Sequence, residues 1–275
     1  MSDKDLFTFF NLADSCSAKI ALEHGLEHIK DDLKTNYGII KTNSFIVDFP
    51  ECEQSCLTLF PSIARINHSC QPNCNHYWSG SKFNVRAIQT ILEGEEISIS
   101  YMSPLQRSDF HTRDSRRQIL HDEFGFDCNC KLCCLSPEEL LVQNDQDRIR
   151  LLDIERQWID LGQDPNLALN LAQSQLELGQ RLQLQPGLLA YITLHCVEAS
   201  ALVMSLNSED FTEADMFESG LKFVEMAKQY GNIAYGKTSE EAQVFACICS
   251  LWNSTPSKDL FVVIQDSISK LRDIV

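Results

Sequence analysis

Residues able to do chemistry gather in three clusters within 67 residues: Asn67-His68-Ser69-Cys70-Gln71-Pro72-Asn73, then Gly94-Glu95-Glu96 followed after four intervening residues by Tyr101, then Cys128-Asn129-Cys130-Lys131-Leu132-Cys133. The last reads C-x-C-x-x-C. Its three thiols are too close in sequence to pair as disulfides with one another, yet they suit a metal that takes soft tetrahedral ligands. Three ligands leave one corner open. Cys134 follows Cys133 directly and is poorly placed to fill it, so a distant cysteine is the better fourth ligand. A closed four-thiolate site is structural and would tie the segment after Tyr101 to wherever that cysteine lies. Taken singly, Asn67 reads as a turn residue, His68 as a core histidine and Tyr101 as a strand aromatic. Their order along the chain is what makes a site of them.

The surrounding elements must hold these clusters in place. Short apolar runs broken by turn residues cover 57–66, 83–88 and 96–102, the last alternating with a period of two, which predicts strands. Near Ser136-Pro137 the pattern turns helical. Leu151, Ile154, Trp158 and Leu161 recur at spacings of three and four, as do Phe217, Leu221 and Val224, and Leu260, Ile264, Ile268 and Leu271. Ser136-Pro137-Glu138-Glu139 reads as an N-cap with proline at the first helical position, and Asp164-Pro165 and Thr238-Ser239-Glu240-Glu241 repeat the signal. Roughly six helices are expected after residue 137, stacked in pairs. A helix is also expected over 6–33. The stretch 107–122 reads as a solvated, arginine-bearing helix leading into the cysteines.

At 275 residues and 44% hydrophobic, the chain is long enough to bury a core without disulfide staples, so its twelve cysteines need another explanation. Cys16, Cys52, Cys56, Cys74, Cys196, Cys247 and Cys249 lack metal-site spacing and are expected to be buried apolar filler. The N-terminus carries no basic and apolar leader pattern, and no stretch approaches 18 uninterrupted apolar residues, which predicts an intracellular protein without a membrane role. The net charge of −16 argues against direct nucleic-acid binding and suits a basic peptide partner. Residues 1–136 hold 18 acids and 13 bases, and residues 137–275 hold 21 and 10, so most of the acidity lies on the helical half.

The ordered motifs N-H-S-C-x-P-N, G-E-E with a tyrosine after four intervening residues, and C-x-C-x-x-C resemble the SET domain and post-SET segment of protein lysine methyltransferases. With the helical tail, the chain looks most like the SET-MYND branch. The resemblance covers about residues 40 to 135. It implies an α+β fold: a partial SET-type β pseudo-knot with a post-SET zinc segment, followed by an all-α tetratricopeptide-like helical domain. The expected divisions are 1–42, a mainly helical insert region; 43–104, the C-terminal part of the SET domain; 105–135, the zinc segment; and 136–275, the helical domain. In this family the cysteine of N-H-S-C joins the post-SET cysteines, which implies one zinc on Cys70, Cys128, Cys130 and Cys133. The same likeness implies S-adenosylmethionine held by Asn43, Asn67, His68, Tyr101 and Phe126. Tyr101 is the implied catalytic residue, and Phe45 and Phe124 the implied walls of a substrate-lysine channel. A lysine-containing protein, histone or other, is the implied substrate, in the cytoplasm or nucleus.

Two departures from the family pattern bear on activity. Phe124 stands where relatives usually carry tyrosine, which implies looser control over methylation state. The glycine-rich G-x-G segment and the MYND finger of relatives are not found in this sequence, so the chain is read as starting within the insert region and as lacking half of a cofactor pocket. That leaves two expectations: an S-adenosylmethionine-dependent lysine methyltransferase, truncated, or a catalytically silent zinc-containing scaffold that binds partner peptides through its helical half.

Overall fold

Among the described residues, one helix and then short strands and turns lead up to residue 102, and helices dominate from residue 113 onward. The computed structural model describes residues 8–9, 11–15, 34–47, 55–79, 82–102, 110–159, 164–206, 212–255 and 257–272. The helix expected over 6–33 lies mostly outside them, as do Cys16, Cys52 and Leu161.

Helix α1 (Asn36–Asn43) is capped by Thr35, whose hydroxyl accepts the Gly38 N–H at 2.9 Å, while Asp14 Oδ2 accepts the Thr35 N–H at 2.8 Å. The helix feeds β1 (Ser44–Val47), antiparallel to β2 (Cys56–Leu59). Strand β2 is shorter than the apolar run 57–66 predicts, because a single 3-10 turn at Ile63–Arg65 intervenes. Next comes β3 (Asn67–His68), then the hairpin of β4 (Cys74–Ser79) and β5 (Lys82–Ala87), then β6 (Ser98–Ile99), which runs parallel to β3. The run 96–102 yields only these two strand residues. Beside them a side chain substitutes for a strand: Asn73 Oδ1 accepts the Ser98 N–H at 2.9 Å, and Asn73 Nδ2 donates to the Glu96 carbonyl at 2.8 Å.

Thr112 caps α2 (Arg113–Phe124), which ends at Gly125 in the left-handed region, φ 73°. Only glycine takes that conformation cheaply, and the turn sends Phe126 and the cysteines back toward Tyr101. Six helices follow among the described residues: α3 (Glu138–Ile159), α4 (Pro165–Arg181), α5 (Pro186–Ser205), α6 (Glu213–Tyr235), α7 (Glu240–Ser254) and α8 (Ser257–Arg272). Asp164 and Ser239 cap α4 and α7 as their sequences predict. Pro137 differs: α3 starts at Glu138, and the Pro137 carbonyl accepts the Leu140 N–H, so the proline stands at the cap and not in the first helical position.

Consecutive helices pack against one another, and α8 also returns to lie on α5. The array therefore closes around a central helix and does not extend as a one-dimensional stack. Helix α5 is apolar on all sides, long and hydrophobic enough to cross a membrane, and most of it is buried between its neighbours. Leu151, Ile154, Val224, Leu260, Ile264 and Ile268 are buried in this core, with Trp158, Phe217 and Leu221 at its edge. Cys74, Cys196 and Cys249 are buried and Cys56 is half-buried, but Cys247 is exposed. Helix α7 buries positions 241, 242, 245, 248, 249 and 252, which places 247 on its solvent face.

The hairpin joins the strand region to the helices by satisfying orphan carbonyls at the end of α6. Asn75 Nδ2 donates to Ala234 O at 3.2 Å, Tyr77 Oη to Tyr235 O at 2.5 Å and Arg86 Nε to Ile233 O at 3.1 Å. The arginine also brings positive charge to the negative end of the helix dipole. Removing two of these three donors, in the double variant Tyr77→Phe/Arg86→Ala, is expected to cost about 1–3 kcal/mol in urea denaturation. An unchanged midpoint would show that the hairpin is not what fastens α6.

Candidate functional site

The β3–β6 pairing sets Asn67 opposite Ser98 and His68 opposite Ile99, and so brings the N-H-S-C segment beside the start of the Tyr101 segment. His68 locks the two together: its Nδ1 accepts the Tyr101 N–H at 2.9 Å. With Nδ1 accepting, the ring proton sits on Nε2, which lies 3.3 Å from Cys70 Sγ and donates to it. The Tyr101 hydroxyl donates to the Ile66 carbonyl at 2.7 Å, which leaves its oxygen lone pairs free to accept. Burial and the nearby Glu96 push the Tyr101 pKa up, so the phenol keeps its proton at neutral pH.

These residues border one cavity of about 1020 Å³. Every residue named from the sequence for cofactor or channel lines it: Asn43, Phe45, Asn67, His68, Tyr101, Phe124 and Phe126. The Tyr101 ring lies 5.1 Å from Phe124 and 6.2 Å from Phe126, edge to face with the latter. Asn67 Nδ2 is held by Glu96 Oε1 at 2.6 Å. Asn43 is buried, and its amide nitrogen is committed to the Ala13 and Ile39 carbonyls, both at 2.7 Å, so only its Oδ1 remains to meet a ligand.

On the far side of His68, the sulfurs of Cys70, Cys128, Cys130 and Cys133 all lie within 4.8 Å of one another. Cys70 Sγ is 3.9 Å from Cys128 Sγ and 3.6 Å from Cys133 Sγ. Tetrahedral sulfurs at about 2.3 Å from a zinc ion stand about 3.8 Å apart, so this spacing fits such an ion. Hydrogen bonds from Cys128, Cys130 and Cys133 push the Cys70 thiol up, while those from Cys130, Cys133 and Cys70 pull Cys128 down. A dication is the charge that would let all four be thiolates together. Cys134 is exposed and outside the group.

Three participants escape a reading of the sequence alone. Arg116, expected on a solvated helix, is fully buried on the face it shares with Leu120, which packs among the cysteines; the helix is solvated on its other faces only. Its one sequence signal is its spacing of four from Leu120 on the buried face. Gln183, at φ 52°, accepts from Gln71 Nε2 at 2.9 Å and brings the α4–α5 turn to the cavity rim. His76 lines the cavity, stacked on Phe83 at 5.6 Å and edge-on to Phe45 at 5.8 Å. Nothing in its strand pattern distinguishes it from a surface histidine.

Burial lowers the His76 pKa to about 4, so it is neutral at pH 7. The folded pKa is below the ordinary value of about 6.5, so the unfolded chain binds a proton first. The stability this neutral ring contributes is intact above about pH 6.5 and is lost as pH falls toward 4. His76→Phe should therefore show a shallower loss of stability than wild type across that window, by on the order of 1–3 kcal/mol. Superimposable pH profiles would count against a neutral His76.

Comparison with known proteins agrees with this geometry. The family model described as "SET domain" matches residues 10–102. The human protein named histone-lysine N-methyltransferase SMYD3 is 35% identical over 102 residues, 37% of this chain and 23% of its own length. Human N-lysine methyltransferase SMYD2 is 32% identical over 103 residues, 38% of this chain and 23% of its length. Mouse histone-lysine N-methyltransferase Smyd1 is 26% identical over 186 residues, 62% of this chain and 35% of its length. That last match covers more than residues 1–102 contain, so it runs on past the SET segment. The chain spans about a quarter to a third of the length of these relatives. Residues 10–102 thus match a SET domain, and over that segment the chain is similar to SET-MYND methyltransferases.

Proposed function

We propose that the cavity is the active site of an S-adenosylmethionine-dependent protein lysine methyltransferase, with a structural zinc on Cys70, Cys128, Cys130 and Cys133. The observation that carries this reading is the convergence of Asn43, Asn67, His68, Tyr101 and Phe126 on one cavity whose wall is pinned by the four-cysteine cluster. S-adenosylmethionine, when bound, supplies a methyl group on a positively charged sulfur. Asn43 Oδ1, Asn67, His68 and Phe126 would hold it, Phe126 through its ring face. Tyr101 is the catalytic residue: its free lone pairs would accept a hydrogen bond from the substrate amine and aim the nitrogen at the methyl group.

The amine must first lose its proton. A lysine of pKa about 10.4 costs roughly 4 kcal/mol to deprotonate near pH 7.4. Phe45, Phe124 and the Tyr101 ring form an apolar wall that disfavours the ammonium and excludes water, so part of that cost is met by desolvation. Phe124 offers no hydroxyl beside the amine, and product methylation states should be less restricted than with tyrosine there. The zinc takes no part in the reaction and only holds the wall in place. The substrate is a lysine-containing protein, histone or other. The acidic balance of the helical half, 21 acids to 10 bases, favours a basic segment over nucleic acid. The cysteine usage suits a reducing compartment, cytoplasm or nucleus.

Calorimetry on this chain should show S-adenosylmethionine binding well below millimolar concentration. Tyr101→Phe should keep that binding and lose methyl transfer to a lysine peptide by at least ~100-fold. If no binding heat appears at millimolar cofactor, this chain is no methyltransferase by itself and the scaffold reading takes its place. Metal analysis should find about one zinc per chain, and Cys70→Ser should lose zinc and stability as severely as Cys130→Ser. Full zinc content in the Cys70 variant would remove that residue from the ligand set.

A further inference from the structure

Among the described residues, no carboxylate meets the charge that Arg116 carries into the interior. Its residue is fully buried on α2, and it forms no ion pair with a carboxylate among the described residues. Its Nη1 donates to the His111 carbonyl at 2.6 Å. Nε and Nη2 are buried without a hydrogen-bond partner of good geometry. An arginine cannot shed its proton to escape this, and an unpaired buried guanidinium is expensive. Arg116 and Leu120 are the buried residues of α2, one turn apart on one face, and Leu120 packs in a single cluster with Cys70 and Cys133. Both belong to the four-cysteine group.

We infer that Arg116 is the internal counter-charge of the four-cysteine metal centre, turning its two unpaired donors onto the thiolates of Cys70 and Cys133. The inference rests on the zinc reading above. A dication with four thiolates keeps about two negative charges, and burying them needs compensation that water cannot supply there. Charge-assisted hydrogen bonds to two of the sulfurs draw electron density from them and make them poorer targets for a competing acid, alkylator or chelator. Arg116 is thus a positioning residue. It acts on the cavity through the centre, because Cys70 is also the acceptor of His68 Nε2–H, and His68 in turn holds the Tyr101 backbone.

The test uses the full chain loaded with zinc or with cobalt(II), as wild type and as Arg116→Met, Arg116→Gln and Arg116→Lys. Transfer of zinc to a chromogenic chelator should be at least ~10-fold faster in the two neutral variants, with circular dichroism confirming that they stay folded. The sulfur-to-cobalt charge-transfer band should move to longer wavelength in both, since their sulfurs become more electron-rich. Arg116→Lys keeps the charge but loses the fork, so its shift should be smaller. A band and a transfer rate equal to wild type in every variant that folds would overturn the inference, even if those variants melt earlier, because a packing role alone predicts that result. A wild-type chain that binds neither metal would overturn the zinc reading and this inference together. Zinc bound at full content, with indifferent Arg116 variants, would overturn only this one.

Discussion

The meeting of four cysteine sulfurs is the constraint on which the site depends. Cys70 and the group Cys128, Cys130 and Cys133 come from segments separated by the whole hairpin and α2, yet their sulfurs stand within 4.8 Å of one another. The strands are too short to fix this part of the chain by themselves. The parallel pair β3–β6 has only two residues on each side, and a two-residue ladder is marginal in water. What the backbone ladder does not supply, side chains and sulfur supply: Asn73 bridges to Glu96 and Ser98, His68 bridges Tyr101 to Cys70, and the cluster closes the wall that carries Phe124 and Phe126. A cavity built this way inherits its shape from the cluster.

A second join lets the helical half matter to the same cavity. The hairpin donates to three carbonyls at the end of α6, while Gln71, next to Cys70, donates to Gln183 in the α4–α5 turn. These contacts are polar and lie at helix ends, where unsatisfied carbonyls are a fixed supply of acceptors. The helices can thus hold the strand region at two points without a large shared apolar core. The central position of α5 gives that anchor rigidity, because α4, α6 and α8 all rest on it.

Local patterns make the helical half and the C-x-C-x-x-C cluster legible in the sequence. Spacings of three and four mark α3, α6 and α8, and Asp164 and Ser239 announce the starts of α4 and α7, because both signals are written within a single turn of chain. The fourth cysteine was reached only through the likeness of N-H-S-C to a family, since nothing in one segment states which distant thiol it will meet. The apolar runs overstate the strands for a related reason. An apolar run shows that residues can be buried, but the length of a strand is set by its partner, and β3 offers β6 only two residues.

Arg116 shows why one class of site residue stays hidden. In the sequence it sits among Arg113, Arg117, Asp114 and Asp122, a composition that reads as a solvated surface, and apart from Arg116 and Leu120 no residue of α2 is buried. Charge patterning reports the average environment of a helix, whereas burial is decided one residue at a time by what packs against it. A buried arginine becomes readable only once the groups that offset it are known, and here those groups are thiols. Cysteine counts as apolar in a hydropathy scale, yet as a thiolate it is an anion. A segment rich in buried cysteine therefore has room for a buried cation, and an arginine spaced four residues from a core leucine, shortly before a C-x-C-x-x-C, is the pattern by which such a cation can be sought.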